Sequence, residues 1–139
     1  MKVLIINGSP RANGNTDIAL REIEKVFTEE GVETKRLNIG TQMIHGCVAC
    51  NACARTDKCG FDDAVNRAAD ILRDCDGLVV GTPVYFASAN GTVVAFLDRL
   101  FYSVPYDLTM KVGASVAVAR RGGASATFDE LNKYFGKEV

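Results

Sequence analysis

The sequence is poor in the features that mark membrane, secreted and nucleic-acid-binding proteins. No window approaches the roughly 20 consecutive apolar residues of a membrane span. The N-terminus, Met1 to Asn7, carries one basic residue and only four consecutive apolar ones, Val3 to Ile6. A secretory signal needs about 7–15 apolar residues in a row. The formal net charge is −1, with 16 Lys and Arg against 17 Asp and Glu, so the broad cationic field that draws in nucleic acid is missing. At 47% hydrophobic and 24% charged residues the chain also lacks the composition of disorder. Together these absences predict a cytoplasmic protein without nucleic-acid or membrane partners.

What is present is one domain's length of sequence, 139 residues, read as a single unit over 1–139. A chain of this size buries about two-thirds of its unfolded surface and needs no disulfide or metal in order to fold. Four of its five cysteines nevertheless fall between positions 47 and 59. In a reducing compartment such a cluster reads more readily as metal or redox ligands than as structural disulfides.

Apolar runs and helical patterns alternate along the chain. Val3–Ile6 suits a strand covered on both faces. Residues 16–28 place Leu20, Ile23 and Phe27 at helical spacing, with Gly31 closing the helix. Glu33–Asn38 is a weaker strand. Ile39 to Phe61 has no regular period and is expected to form a long cysteine-rich loop, about 39–61, of the kind that carries function. Asp62 is expected to cap a helix bearing Val65, Ala68, Leu72 and Cys75. Gly77–Gly81 is a third strand ended by Thr82-Pro83. Gly91–Tyr102 is a helix with Val93, Leu97 and Leu100 inward. Val112–Ala119 is a fourth strand, and about Thr127–Phe135 a last helix with Phe128, Leu131 and Phe135 in register. This alternation predicts an α/β doubly wound parallel sheet. Val112–Ala119 reads as an interior strand, yet no fifth strand follows it. The pattern is thus expected either to lack a C-terminal portion or to have that edge covered by a partner, a helix or a loop.

The turn after strand one, Gly8-Ser9-Pro10-Arg11-Ala12-Asn13-Gly14-Asn15-Thr16, joins a strand to a helix N-terminus, where backbone N–H groups and the helix dipole favour an anion. Ser9, Asn15 and Thr16 add short polar groups, and Arg11 adds positive charge. No Lys precedes the Ser/Thr as in a Walker A loop, and G-x-G-x-x-G is absent, so a monophosphate fits best. The blander reading is a polar turn with a helix cap.

Gly8-Ser9-Pro10-Arg11-x-x-Gly14-Asn15-Thr16, then Gly81-Thr82-Pro83-Val84-Tyr85-Phe86, then Phe96-Leu97-Asp98-Arg99 resemble the NADPH-dependent FMN reductase family of flavodoxin-like proteins. The cysteine segment resembles the iron–sulfur flavoprotein branch. The resemblance implies a flavodoxin-like sheet of order 2-1-3-4-5, of which this chain carries 2-1-3-4. It places FMN at the carboxyl ends of the strands, as the crevice rule for open α/β sheets also expects. It further implies NAD(P)H as electron donor, a homodimer or homotetramer, and contact of Pro83, Val84, Tyr85 and Phe86 with the flavin. Arg121, Gly122 and Gly123 after strand four are implied at the ring as well, where positive charge stabilises the reduced flavin. Plain alternatives stand beside these: core aromatics for Tyr85 and Phe86, a solvated basic turn for Arg120 to Gly123. Ser88, Asn90 and Asp98 have weaker claims, and Asp98 also suits pairing with Arg99.

Cys47-x2-Cys50-x2-Cys53-x5-Cys59 follows the spacing logic of a [4Fe–4S] site, with x5 where the bacterial ferredoxin run has x3 and Gly60 where that run has Pro. The resemblance implies all four as ligands. A four-cysteine zinc site, which usually wants two separated C-x2-C knuckles, reactive thiols and a reversible disulfide stay open. His45 reads as a solvated loop residue and Cys75 as a small buried hydrophobe. The expected function is an FMN-dependent NAD(P)H oxidoreductase passing electrons to a flavin, quinone or other small-molecule or protein acceptor. A non-enzymatic electron carrier and a zinc- or thiol-based regulatory module are the alternatives.

Overall fold

A computed structural model describes residues 1–138. Its elements in chain order are β1 (Lys2–Asn7), α1 (Asn15–Glu29), β2 (Glu33–Asn38), α2 (Cys53–Thr56), α3 (Ala64–Arg73), β3 (Gly77–Tyr85), β4 (Ser88–Ala89), α4 (Gly91–Ser103), β5 (Val112–Val118) and α5 (Ala124–Glu138). The long strands run parallel in the order β2-β1-β3-β5. That is the flavodoxin-like doubly wound arrangement. The expected 2-1-3-4 needs one correction, because a fifth strand is present. It is the short β4, which folds back antiparallel on the end of β3.

Helix α1 covers one face, setting Leu20, Ile23 and Phe27 against Val3, Ile5, Val79 and Val116. On the other face Leu4, Ile6, Leu78 and Val80 form one core with side chains of α3, α4 and α5. Both faces of β1 and β3 are thus buried, which is why those strands read as unbroken apolar runs.

Several expected boundaries move, each for a local reason. Strand β3 continues through Thr82 and Pro83 to Tyr85. β1 ends opposite Gly81, so Pro83 faces only β5 on the ladder and its missing N–H is tolerated. Phe86 and Ala87 then form a two-residue turn with φ of 51° and 61°, the signature of a type I′ hairpin. Neither is Gly, Asn or Asp, so this turn has no sequence signal, and the left-handed backbone costs about 1 kcal/mol at each position. The cap of α3 is Asp63, not Asp62: its carboxylate accepts from the Val65 N–H at 2.9 Å. Cys75 lies past the end of α3, buried. In α5 Leu131 and Phe135 are buried but Phe128 is exposed.

Among the described residues β5 pairs with β3 alone. Small residues on this strand admit close helix packing. A Cβ at Gly113 would lie 2.4 Å from Phe135 Cγ, so α5 presses directly on that strand.

After α4 the chain returns along α3, where the Tyr106 hydroxyl donates to the Ala69 carbonyl at 2.5 Å and the ring stacks under Arg73. Burial pushes this phenol up to about 12, from an unfolded value of about 10. The neutral form is the one the fold favours, so its stabilisation is complete below pH 10 and disappears as pH rises through about 12. Tyr106→Phe should cost about 1 kcal/mol at neutral pH. The gap between the variant and wild type in urea melts should close between pH 10 and 12. A gap independent of pH would refute the assignment.

Candidate functional site

The polar end of the sheet is organised by one close approach. Gly8, leaving β1, donates to the Gly81 carbonyl at 2.8 Å. A Cβ at position 8 would lie 2.0 Å from Val93 Cγ2, so glycine is required there. The Asn90 side chain donates to the Gly8 carbonyl at 3.0 Å and accepts from the Thr92 N–H at 2.9 Å. It thereby caps α4 and fastens it to the turn. Asn7 Oδ1 accepts from the Ser9 N–H at 3.0 Å, and Ser9 Oγ accepts from the Arg11 N–H at 3.2 Å. No side chain caps the first turn of α1. Its N–H groups and the positive end of its dipole are therefore available to an anion.

These groups border a recess of about 620 Å³, within the usual range of small-molecule sites. Ser9, Arg11, Asn15 and Thr16 form one side, Pro83, Val84 and Tyr85 another, and Val118 to Arg120 a third. Seven of the expected cofactor-binding residues thus meet at one place. Phe86 stands outside it, fully exposed at the hairpin turn. Arg121 and Gly122 are exposed on the loop beyond the lining, and the cation of this loop that reaches the recess is Arg120. Gly123 has φ +91°, and a Cβ there would lie 2.7 Å from Ala87 Cα, so its lack of a side chain seats the hairpin. Ser88 and the Ala89 N–H are tied to the Glu130 carboxylate, the latter at 2.7 Å.

Beneath the recess lies a network that the sequence did not announce. Asp17 is buried. It accepts from Asn7 Nδ2 at 3.3 Å, pairs with Arg36, and has Arg21 at 2.7 Å in an ion pair without hydrogen-bond geometry. Arg36 reaches Glu24 at 2.6 Å as well. The only hints in sequence are an Asn ending an apolar strand and an Arg in the weak second strand. Their partners lie too far along the chain for spacing to reveal them.

The cysteine loop builds a second, smaller recess that shares no lining residue with the first. Cys47, Cys50, Cys53 and Cys59 all line it, with Phe61, Arg99, Tyr102 and Ser103. All four thiols are free, and left-handed turns at Ala49 and Asn51 coil the backbone around them. Among the described residues no three His, Cys, Asp or Glu side chains converge on one point as around a single metal ion. Arg99 is buried behind this loop. Burial opposes its charge, but hydrogen bonds to Asp63 and Cys59 outweigh that and raise its pKa further. It pairs with Asp63 and not with Asp98, which instead accepts from the Tyr134 hydroxyl at 2.5 Å. The exposed His45 stacks on Phe61 with centroids 5.0 Å apart. Cys75 lies elsewhere, and burial pushes its thiol up.

An open parallel sheet with an anion-ready turn and an aromatic wall at its carboxyl edge defines a flavodoxin-like protein. More narrowly, the chain belongs to the NADPH-dependent FMN reductase family, whose model matches residues 1–136. It is 34% identical over 138 residues to an iron-sulfur flavoprotein of Methanocaldococcus jannaschii, covering 97% of this chain and 72% of that protein. Among solved structures it is similar to an apo NADH:FMN oxidoreductase, at 24% identity and a TM-score of 0.65, covering 93% of this chain and 64% of that one. It is also similar to RosB solved with 8-demethyl-8-formylriboflavin-5'-phosphate, at 17% identity and a TM-score of 0.73, covering 99% and 60%. The chain therefore spans less than two thirds of either solved structure. No helix among the described residues is long and apolar enough to cross a membrane.

Asp17→Ala should lower stability by about 3 kcal/mol, because it leaves the partly buried Arg36 charge short of a partner. Urea unfolding checks this, and a loss below about 1 kcal/mol would show that the network is idle.

Proposed function

We propose that this chain is an FMN-dependent NAD(P)H oxidoreductase that hands electrons to a flavin, a quinone or another small-molecule or protein acceptor. The observation that carries the reading is the recess itself. Unspent N–H groups of α1, the Arg11 guanidinium and an aromatic wall face one space of flavin size. Ser9, Arg11, Asn15 and Thr16 would hold the phosphate, and Pro83 to Tyr85 the ring. Arg120 would supply the charge that favours the reduced flavin, where the sequence pointed to Arg121. When bound, FMN supplies hydride acceptance from a reduced nicotinamide and electron delivery to the acceptor. The chain's own part is to bind, orient and bias that charge.

The same proposal gives Cys47, Cys50, Cys53 and Cys59 a [4Fe–4S] relay. Four free thiols lining one recess, with no carboxylate among them, support it. A four-iron cluster spaces its thiolates further apart than one ion does, in keeping with the lack of single-ion convergence. Free thiols also suit the cytoplasm. Exposed Phe86 and Tyr102 support a homodimer or homotetramer.

Protein purified without oxygen should show flavin bands and bind iron and sulfide. Absent flavin bands would refute the main reading, and flavin without iron would remove only the relay. Steady-state NAD(P)H oxidation with an added acceptor separates a reductase from a carrier. Arg11→Ala and Thr16→Val should each weaken FMN binding by roughly tenfold or more, the scale of one charge-assisted contact. Unchanged affinity in fluorescence titrations would contradict the cradle.

A further inference from the structure

We propose that Arg99 is the positioning residue of the cysteine loop, and that its N–H donation to Cys59 Sγ holds the loop's redox centre at a higher reduction potential. The inference rests on the cluster reading above and extends it to a residue outside the cysteine motif.

Arg99 is 1% exposed, yet it is satisfied at every donor. Its five N–H groups meet five acceptors. Nε donates to Cys59 Sγ at 3.2 Å. One terminal nitrogen donates to the His45 carbonyl at 3.2 Å and Asp63 Oδ2 at 2.7 Å. The other donates to the Phe61 carbonyl at 3.2 Å and Asp63 Oδ1 at 3.0 Å. The guanidinium also lies 4.9 Å from the centre of the Phe61 ring. One side chain on α4 therefore grips the loop before the first cysteine, at the last cysteine and at the cap of α3.

Cys59 is the sulfur that needs this. It stands six positions after Cys53, whereas the other three follow one another at x2 spacing. Its backbone is clamped as well: its N–H donates to Asn66 Oδ1 at 2.9 Å, and its carbonyl accepts from Asn66 Nδ2 at 3.0 Å. Among the described residues no hydrogen bond reaches the sulfur of Cys47, Cys50 or Cys53.

Stability alone does not call for a charge here, since a buried ion pair can often be exchanged for apolar side chains without loss. Charge next to sulfur does have an electronic effect. Reduction adds one electron to a thiolate-ligated centre, and a cationic donor on a ligand sulfur stabilises the added negative charge. Removing that donor lowers the potential.

The test uses FMN-bound protein reconstituted without oxygen with iron and sulfide, as wild type, Arg99→Lys and Arg99→Gln. Potentiometric titration is followed by the electron paramagnetic resonance of the reduced centre. Expected is a more negative potential in Arg99→Gln, with Arg99→Lys between it and wild type and FMN content unchanged in all three. Equal potentials in Arg99→Gln and wild type would overturn the proposal. Iron lost from Arg99→Gln while FMN is kept supports the positioning role, and Arg99→Lys then carries the comparison of potentials. If Arg99→Gln loses FMN too, Arg99→Lys again decides. Wild type that takes up no iron and sulfide removes the cluster reading instead. The positioning role is then read by hydrogen exchange over residues 45–61 of the FMN-bound protein. Faster exchange in Arg99→Lys than in wild type supports it, and equal exchange overturns it.

Discussion

The architecture depends on the crossing where β1 leaves the sheet over β3. Gly8 donates to Gly81, Val93 packs on Gly8 where any side chain would collide with it, and Asn90 closes the junction from α4. Three elements distant in sequence are thereby locked at one point. The start of α1 follows directly, so the position of the uncapped helix end relative to the Pro83–Tyr85 wall is set by backbone packing and not by loop choice. The polar recess is a by-product of this junction. A turn with one more carbon at position 8 would open the gap between β1 and α4 and move the uncapped end of α1 with it.

Helix α4 braces both recesses. Its cap, Asn90, fastens the turn of the polar recess, while Arg99, nine residues further on and roughly 14 Å along the axis, fastens the cysteine loop. The two recesses share no residue but share this strut. Charge is handled locally at both ends. The Asp17–Arg36–Glu24 network and the Arg99–Asp63 pair each offset a cation with a carboxylate, so a nearly neutral chain presents Arg11 and Arg120 at the polar recess without a strong general field.

Much of this was legible because the parallel sheet writes itself as apolar runs, and β1 and β2 were read to within a residue or two of their ends. The turn between β1 and α1 was legible as a strand–helix junction because its glycines and short polar residues interrupt two apolar patterns. Three things escaped. The hairpin at Phe86-Ala87 lacks turn residues, since its left-handed backbone is imposed by β4 and α5 and not by local preference. Arg120 lines the recess and Arg121 does not, because both lie in the bend after β5, where no periodic pattern sets side-chain direction. The roles of Asp17 and Arg99 rest on partners 19 and 36 residues away. No periodic pattern carries such long-range polar pairing.

The hairpin also bears on how a ligand enters. The Glu130 carboxylate holds Ser88 and the Ala89 N–H, and Gly123 sits against Ala87, so the tip of the wall beside the polar recess is pinned to α5. Its conformational entropy was lost on folding and is not lost again on binding. The hairpin is thus a fixed jamb beside the recess. The ordering of this one hairpin is therefore a cost charged to folding and not to any later contact with its wall.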